Sequence, residues 1–170
     1  MTERNYPPNF TAPTTSQPHN LINMFEQLKL DNQLCFRLYT AARMVTSAYT
    51  PLFKDLGITY PQYLVLMVLW EKDHCLIGDI TERLKLETNT VTPLLQRMER
   101  QGLIERKRGD VDTRQRIVSL TQKGKEMEER AKNIPLCLAQ NIVGHGITVE
   151  ELKTLAPLLD KFIGALSTGV

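Results

Sequence analysis

The side chains able to do chemistry in this 170-residue chain fall into two groups, one built on a thiol and one on short polar residues. Cys35 stands in Leu34-Cys35-Phe36-Arg37-Leu38-Tyr39, and Tyr39 follows it by four positions, the spacing that sets two side chains next to each other on a helix. Tyr49 falls on nearly the same helical face, about 21 Å further along at ~1.5 Å per residue, out of reach of its own Cys35 while the helix is straight. In a two-fold pair of such helices running antiparallel it reaches the Cys35 of the other copy, and Tyr60 starts the next helix and could approach the same place. Spacing alone leaves the alternative open, because free cysteine is a common core residue and tyrosines commonly edge a core. The other thiols are Cys75 and Cys137. Three widely spaced cysteines with no CxxC or Cys/His cluster argue against a zinc site and against a secreted disulfide scaffold. No metal and no other cofactor is expected.

The second group is Thr88, Asn89, Thr90, Thr92 and Gln96. Short polar side chains at the N-terminal end of a helix are what base edges and phosphates meet: threonine touches a thymine methyl or a phosphate, and Asn or Gln pairs with adenine. Thr88 serves equally as a helix cap. Downstream lie Arg97, Arg106, Arg108, Asp112, Arg114 and Arg116, a local basic cluster in a chain whose net charge is only +2. Such a cluster suffices for phosphate contacts when the fold aims it, though a solvated charged face has the same composition. Asp112 is spaced to orient a neighbouring arginine on a loop tip, and one of Arg114 and Arg116 is expected to face DNA.

These residues need elements to hold them. Gly78–Leu84 reads as a short helix, Lys85-Leu86-Glu87 as a polar break, and Asn89–Gln101 as a second helix with Val91, Leu94, Leu95 and Met98 on one side. Gly102 stops it. Leu103–Arg108 and Arg114–Leu120 read as two strands around a charged tip, the outline of a winged helix-turn-helix at about 60–120. Upstream, Asp31 reads as the N-cap of a long helix reaching about Leu56, with Pro51 as a possible kink. Thr59, Pro61 and Gln62 read as a capping box opening a nearly all-apolar helix, Tyr60–Lys72. Thr121 caps a charged helix interrupted near Pro135, and Thr148 opens a last amphipathic helix. Residues 1–20, with Pro7, Pro8, Pro13 and Pro18 among Thr, Ser and Asn, read as a disordered tail. No apolar run approaches the roughly 20 residues of a membrane span, and no signal peptide is evident, so a cytoplasmic protein with reduced thiols is expected. The apolar helices at about 21–57 and 121–166 exceed what one small domain can cover, which points to homodimerisation. The expected fold class is therefore mainly α with a small β wing: a winged helix-turn-helix between N- and C-terminal dimerisation helices, in one domain over 21–170.

Leu94-Leu95-Gln96-Arg97-Met98-Glu99-Arg100-Gln101-Gly102-Leu103-Ile104-Glu105-Arg106, the wing Gly109-Asp110-Val111-Asp112-Thr113-Arg114 and Ser119-Leu120-Thr121-Gln122-Lys123-Gly124 resemble the MarR family of bacterial repressors. The resemblance runs from about Lys29 to Leu166 and implies a homodimeric repressor on a near-palindromic double-stranded operator. Leu30–Phe36, Tyr49 and Gly57–Leu64 resemble its organic-hydroperoxide-sensing branch. There the cysteine at the position of Cys35 is the peroxide-reactive thiol, and tyrosines matching Tyr49 and Tyr60 of the other subunit hydrogen-bond it. Leu34, Phe36, Leu38 and Met67 would give that thiol an apolar surround suited to alkyl hydroperoxides. The resemblance also implies two fates for the oxidised thiol: capping by a small thiol, or a disulfide to a late-helix cysteine of the other subunit, for which Cys137 stands in the right region. Two other readings remain at this point: a MarR-type repressor induced by a reversible phenolic ligand, with Cys35 structural, and a thiol peroxidase, for which no arginine-threonine motif is present. A regulator rather than an enzyme is expected.

Overall fold

The computed structural model describes residues 26–108 and 115–167. The expected tail at 1–20 and the wing tip with Asp112 and Arg114 lie outside the described residues. Two compact units make up the chain, Met1–Arg43 and Met44–Val170.

In the first unit, two short 3-10 turns, Glu26–Leu28 and Leu30–Asn32, precede helix α1 (Leu34–Phe53), which contributes to both units. Asp31, expected to cap the helix, lies inside the second turn instead. Gln33 makes the junction: its N–H donates to the Leu30 carbonyl at 3.0 Å. Cys35 is thus the second residue of α1. None of the described residues of this unit is buried.

The second unit is organised around α2 (Tyr60–Glu71), which buries Gln62, Tyr63, Val65, Leu66, Val68 and Leu69. A helix apolar around most of its circumference has to lie at the centre of a domain. Gln62 closes its N-terminus, the Oε1 accepting from the Thr59 N–H at 2.9 Å. There follow β1 (Cys75–Leu76), α3 (Ile77–Leu84), α4 (Thr88–Arg100), β2 (Ile104–Arg108), β3 (Arg116–Leu120), α5 (Gln122–Ala131), α6 (Ile134–Gly144) and α7 (Val149–Ser167). The strands form an antiparallel sheet in the order β1-β3-β2, with Cys75 opposite Val118 and Ile104 opposite Leu120. Ile80, Val91, Leu95, Met98 and Val118 join Val65 and Leu66 in a core with no solvent exposure.

Several local expectations are redrawn. Cys75, to which the sequence assigned no strand, is buried in β1, and its Sγ–H donates to the Lys72 carbonyl at 3.0 Å. That burial, followed by the nearby Asp79 charge, pushes the Cys75 thiol above its ordinary pKa. Thr88 is the first residue of α4 and Glu87 the N-cap position, so the Thr88 hydroxyl is not tied up as the cap. The interruption expected near Pro135 is present: α5 and α6 are separate helices, with Pro135 in the first turn of the second.

Three ties hold the sheet, α5 and the segment after α2 together. Trp70 Nε1 donates to the Gly124 carbonyl at 3.1 Å. The Thr121 hydroxyl donates to the Gly102 carbonyl at 2.6 Å and accepts from the Gly124 N–H at 3.1 Å. Asp73 Oδ1 accepts from the N–H groups of Leu120 and His74 at 2.9 and 2.8 Å, and Lys125 stands 3.7 Å from Oδ2. Burial alone would raise the Asp73 pKa, but those two N–H groups, with His74 and Lys125, hold it below the usual carboxylate value. By contrast α7 buries no residue and α6 only Ile134 and Leu138. No helix among the described residues is long and apolar enough to cross a membrane.

Candidate nucleic-acid interface and thiol site

Helix α4 is two-sided. Val91, Leu94, Leu95 and Met98 are buried, which turns the opposite face outward and leaves Thr88, Asn89, Thr90, Gln96 and Arg97 exposed and Thr92 half-buried. This is the 3.6-residue period converted into a presented surface. A cleft of about 400 Å³ runs beside its N-terminal turn, lined by Thr88, Thr92, Gly78, Gln115 and Arg116. Helix α4 and the base of β3 therefore share one concave face. Gln115 was not singled out from the sequence. It carries no basic charge, and only the fold brings it next to Thr88.

The arginines separate into two kinds. Arg106 Nη2 and Nε both donate to Glu99 Oε2, at 2.6 and 3.0 Å, and this hydrogen-bonded pair joins β2 to α4. The hydrogen bonds from Arg106 hold the Glu99 carboxyl below its usual value against the opposing effect of burial. Arg106 thus orients the recognition helix whatever else it contacts. Arg108 and Arg116 are both exposed and stand directly opposite each other across the β2–β3 pair. Like charges in that position repel, so the pair costs stability unless an anion lies against it. The stem of the wing is therefore an anion-seeking edge beside α4.

The thiols and tyrosines are arranged as follows. Cys35 and Cys137 are exposed free thiols, and Cys75 is buried. Cys35 stands in the first turn of α1, among exposed Leu34 and Tyr39. In the second unit Tyr49 packs against Tyr60 with ring centroids 4.9 Å apart, and against Phe53 and Tyr63 at 5.2 and 5.9 Å. Burial, then the neighbouring Tyr60, pushes the Tyr49 phenol above its ordinary pKa, and burial does the same for Tyr63. These phenols stay protonated, and so remain hydrogen-bond donors, at any physiological pH. No group of three His, Cys, Asp or Glu among the described residues is placed to hold a metal ion.

Comparison with known proteins places this arrangement. A model of the SarA/Rot transcriptional regulators matches residues 47–130. The chain is 49% identical over 113 residues to the organic hydroperoxide resistance transcriptional regulator of Bacillus subtilis, covering 66% of this chain and 77% of that protein. It is 38% identical to the HTH-type transcriptional regulator MgrA of Staphylococcus aureus, covering 84% of this chain and 95% of that one. Among solved structures it resembles AbfR of Staphylococcus epidermidis. The reduced, DNA-bound form matches with 35% identity and a TM-score of 0.67, over 83% of this chain and 96% of that one. The disulfide form matches with 36% identity and a TM-score of 0.57, over 81% and 95%.

Proposed function

Because this chain belongs to the MarR family of winged-helix transcriptional regulators, on the branch of the organic hydroperoxide resistance regulators, we propose that it is a homodimeric cytoplasmic repressor that leaves its operator when an organic hydroperoxide oxidises Cys35. The observation that carries this reading is the position of Cys35: a free, exposed thiol in the first turn of α1, set among apolar side chains left uncovered. A reactive cysteine has to be reachable, whereas an inert structural one is buried, as Cys75 is.

The chemistry is a two-electron oxidation. The Cys35 sulfur attacks one oxygen of the O–O bond; an S–O bond forms, the O–O bond breaks, and the alcohol leaves carrying the proton. The sulfenic acid then condenses with a second thiol, forming an S–S bond and releasing water. Cys137 of the partner subunit is the candidate for that thiol, and a small cellular thiol is the other. Tyr39 of the same chain, and Tyr49 and Tyr60 of the partner subunit, donate hydrogen bonds to the reduced sulfur. Oxidation removes the anion those donors favour. The dimer then settles into a geometry whose half-site spacing no longer matches about one turn of DNA, ~34–36 Å.

On the DNA side, Thr88, Asn89, Thr90, Thr92 and Gln96 meet base edges. Arg97, Arg108 and Arg116, with Arg114 at the wing tip, track the phosphates, and Asp112 orients the neighbouring arginine. Two observations support this division: the exposed polar face of α4, and the like-charge opposition of Arg108 and Arg116 beside it. That AbfR is known both reduced on DNA and in a disulfide form supports a disulfide as one fate of the oxidised thiol.

The test is operator binding before and after one equivalent of cumene hydroperoxide, with intact mass and a nonreducing gel. Wild type is expected to lose its DNA with Cys35 oxidised, Cys35→Ser to stay bound, and Cys137→Ser to lose the dimer-sized band. Release from Cys35→Ser on adding a phenolic acid would instead establish the reversible-ligand reading.

A further inference from the structure

Buried polar side chains are few among the described residues, and Gln62 reaches between the tyrosines and the recognition helix. It is 3% exposed, deep in the first turn of α2. Its Oε1 accepts from the Thr59 N–H at 2.9 Å, and its Nε2 donates to Gln101 Oε1 at 2.7 Å. The first contact is with the residue immediately before Tyr60, whose ring packs against Tyr49. The second is with the residue that ends α4, where the Gln101 N–H still donates to the Arg97 carbonyl at 3.0 Å. One amide thus holds the turn carrying Tyr60 and the C-terminal end of the recognition helix together, across 39 positions of sequence.

Capping α2 requires only the carbonyl end of this side chain. The amide nitrogen then has to find an acceptor, because a buried unpaired donor is costly. That acceptor is not in the core but on α4. Gln101 is held from the other side as well, Lys123 Nζ donating to its carbonyl at 2.8 Å. A helix of thirteen residues is rigid over its ~20 Å, so a displacement of its C-terminal end is carried to Thr88–Thr92 at the other end.

We infer that Gln62, through Gln101, is the positioning residue by which the Tyr49–Tyr60 cluster sets the attitude of the recognition helix. This deepens the repressor reading and rests on it for the signal that moves the tyrosines. The Gln62–Gln101 hydrogen bond is the mechanical link: when the Tyr60 turn shifts, Gln101 follows.

The test is a double-mutant cycle on reduced, full-length protein, with affinity measured by fluorescence anisotropy at fixed salt. The probe is a duplex that the wild-type protein has selected from a random DNA library. Tyr60→Ala is expected to weaken binding in the wild-type background and to do so about fivefold less, or beyond, in the Gln101→Ala background. Gln101 is exposed at the helix end, so its truncation removes no apolar core contact, and the cost of leaving the Gln62 amide without its acceptor is read separately from a thermal melt. Gln62→Glu keeps an acceptor for Thr59 and offers one to the Gln101 amide, and is expected to retain the coupling that Gln62→Leu removes. Single-variant factors that simply multiply, within twofold, overturn the inference, as does a Gln62→Leu protein that keeps the coupling. In a separate arm with cumene hydroperoxide, Gln101→Ala is expected to keep at least five times more bound DNA than wild type. If wild type keeps its DNA with Cys35 oxidised, the hydroperoxide reading fails, while the cycle on reduced protein still decides the Gln62 link.

Discussion

Arg108 and Arg116 face each other across the wing stem, and that repulsion has a consequence in each state of the protein. In the free protein it is offset only in part by the Glu99 carboxylate, which interacts with Arg116; against a polyanion it turns into attraction. Replacing Arg116 by Ala is therefore expected to weaken DNA binding and to lower the salt dependence of log Kd by about one unit for each phosphate that Arg116 neutralises. The melting temperature of the free protein should stay level or rise slightly. Anisotropy titrations over a salt series, with a thermal melt of the same sample, read both; an unchanged slope would remove Arg116 from the phosphate contacts. Arg106 differs although it stands in the same sheet, since Glu99 accepts from it twice. The two were alike in the sequence, where seven positions separate Arg106 from Glu99 and only the crossing of β2 over α4 joins them. Thr88 shows the reverse: its exposure at a helix start was legible, but whether it capped the helix depended on where the helix began.

At the scale of elements, the motif Leu120-Thr121-Gln122-Lys123-Gly124 acquires a physical reason. The Thr121 hydroxyl and the Gly124 N–H close the first turn of α5. A Cβ on Gly124 would stand 2.2 Å from the Leu103 carbonyl oxygen and 3.0 Å from a Leu120 methyl. The first neighbour is backbone and cannot swing aside. Gly124→Ala is therefore expected to destabilise the fold by about 1–3 kcal/mol, and by more if the Trp70 bond to the Gly124 carbonyl is broken with it. Urea unfolding followed by Trp70 fluorescence reports both, because Trp70 is the only tryptophan; an unchanged midpoint would show that the α5–sheet approach relaxes freely. Helices α2, α4 and α7 were legible from periodicity and caps. Strand β1 was not, because two residues carry no alternation and Cys75-Leu76 become a strand only when β3 arrives beside them.

At the scale of the molecule, α7 is amphipathic yet buries nothing: Leu158 is 59% exposed, Ile163 50% and Phe162 36%. Three such side chains, each contributing roughly 1.5–3 kcal/mol when fully buried, make an uncovered face a poor end state in water. A second copy of the chain is the cover that the repressor reading supplies. Leu158→Glu with Ile163→Glu is expected to shift the protein from dimer to monomer in light scattering and to weaken operator binding at least tenfold, since the two half-sites are then no longer read together. Far-ultraviolet circular dichroism should stay near that of wild type, because neither substituted side chain belongs to the core. A double variant that remains dimeric would put the interface on other helices.

What the amino-acid sequence determined by itself was local. Helix periods, the capping residues Thr59, Thr121 and Thr148, the polar start of α4 and the basic wing all lie within a few positions of one another, and short-range sterics and hydrogen bonding act at that range. The family resemblance extended the same kind of information by matching strings of neighbours. Tertiary structure decided which arginine is presented and which is held by Glu99, why Gly124 has to be glycine, and that the second end of Gln62 lands on Gln101. The reason is common to all three. Each depends on a contact between residues of different elements, and such contacts exist only once the core around Leu66, Leu95 and Val118 has closed and set the distances between the elements.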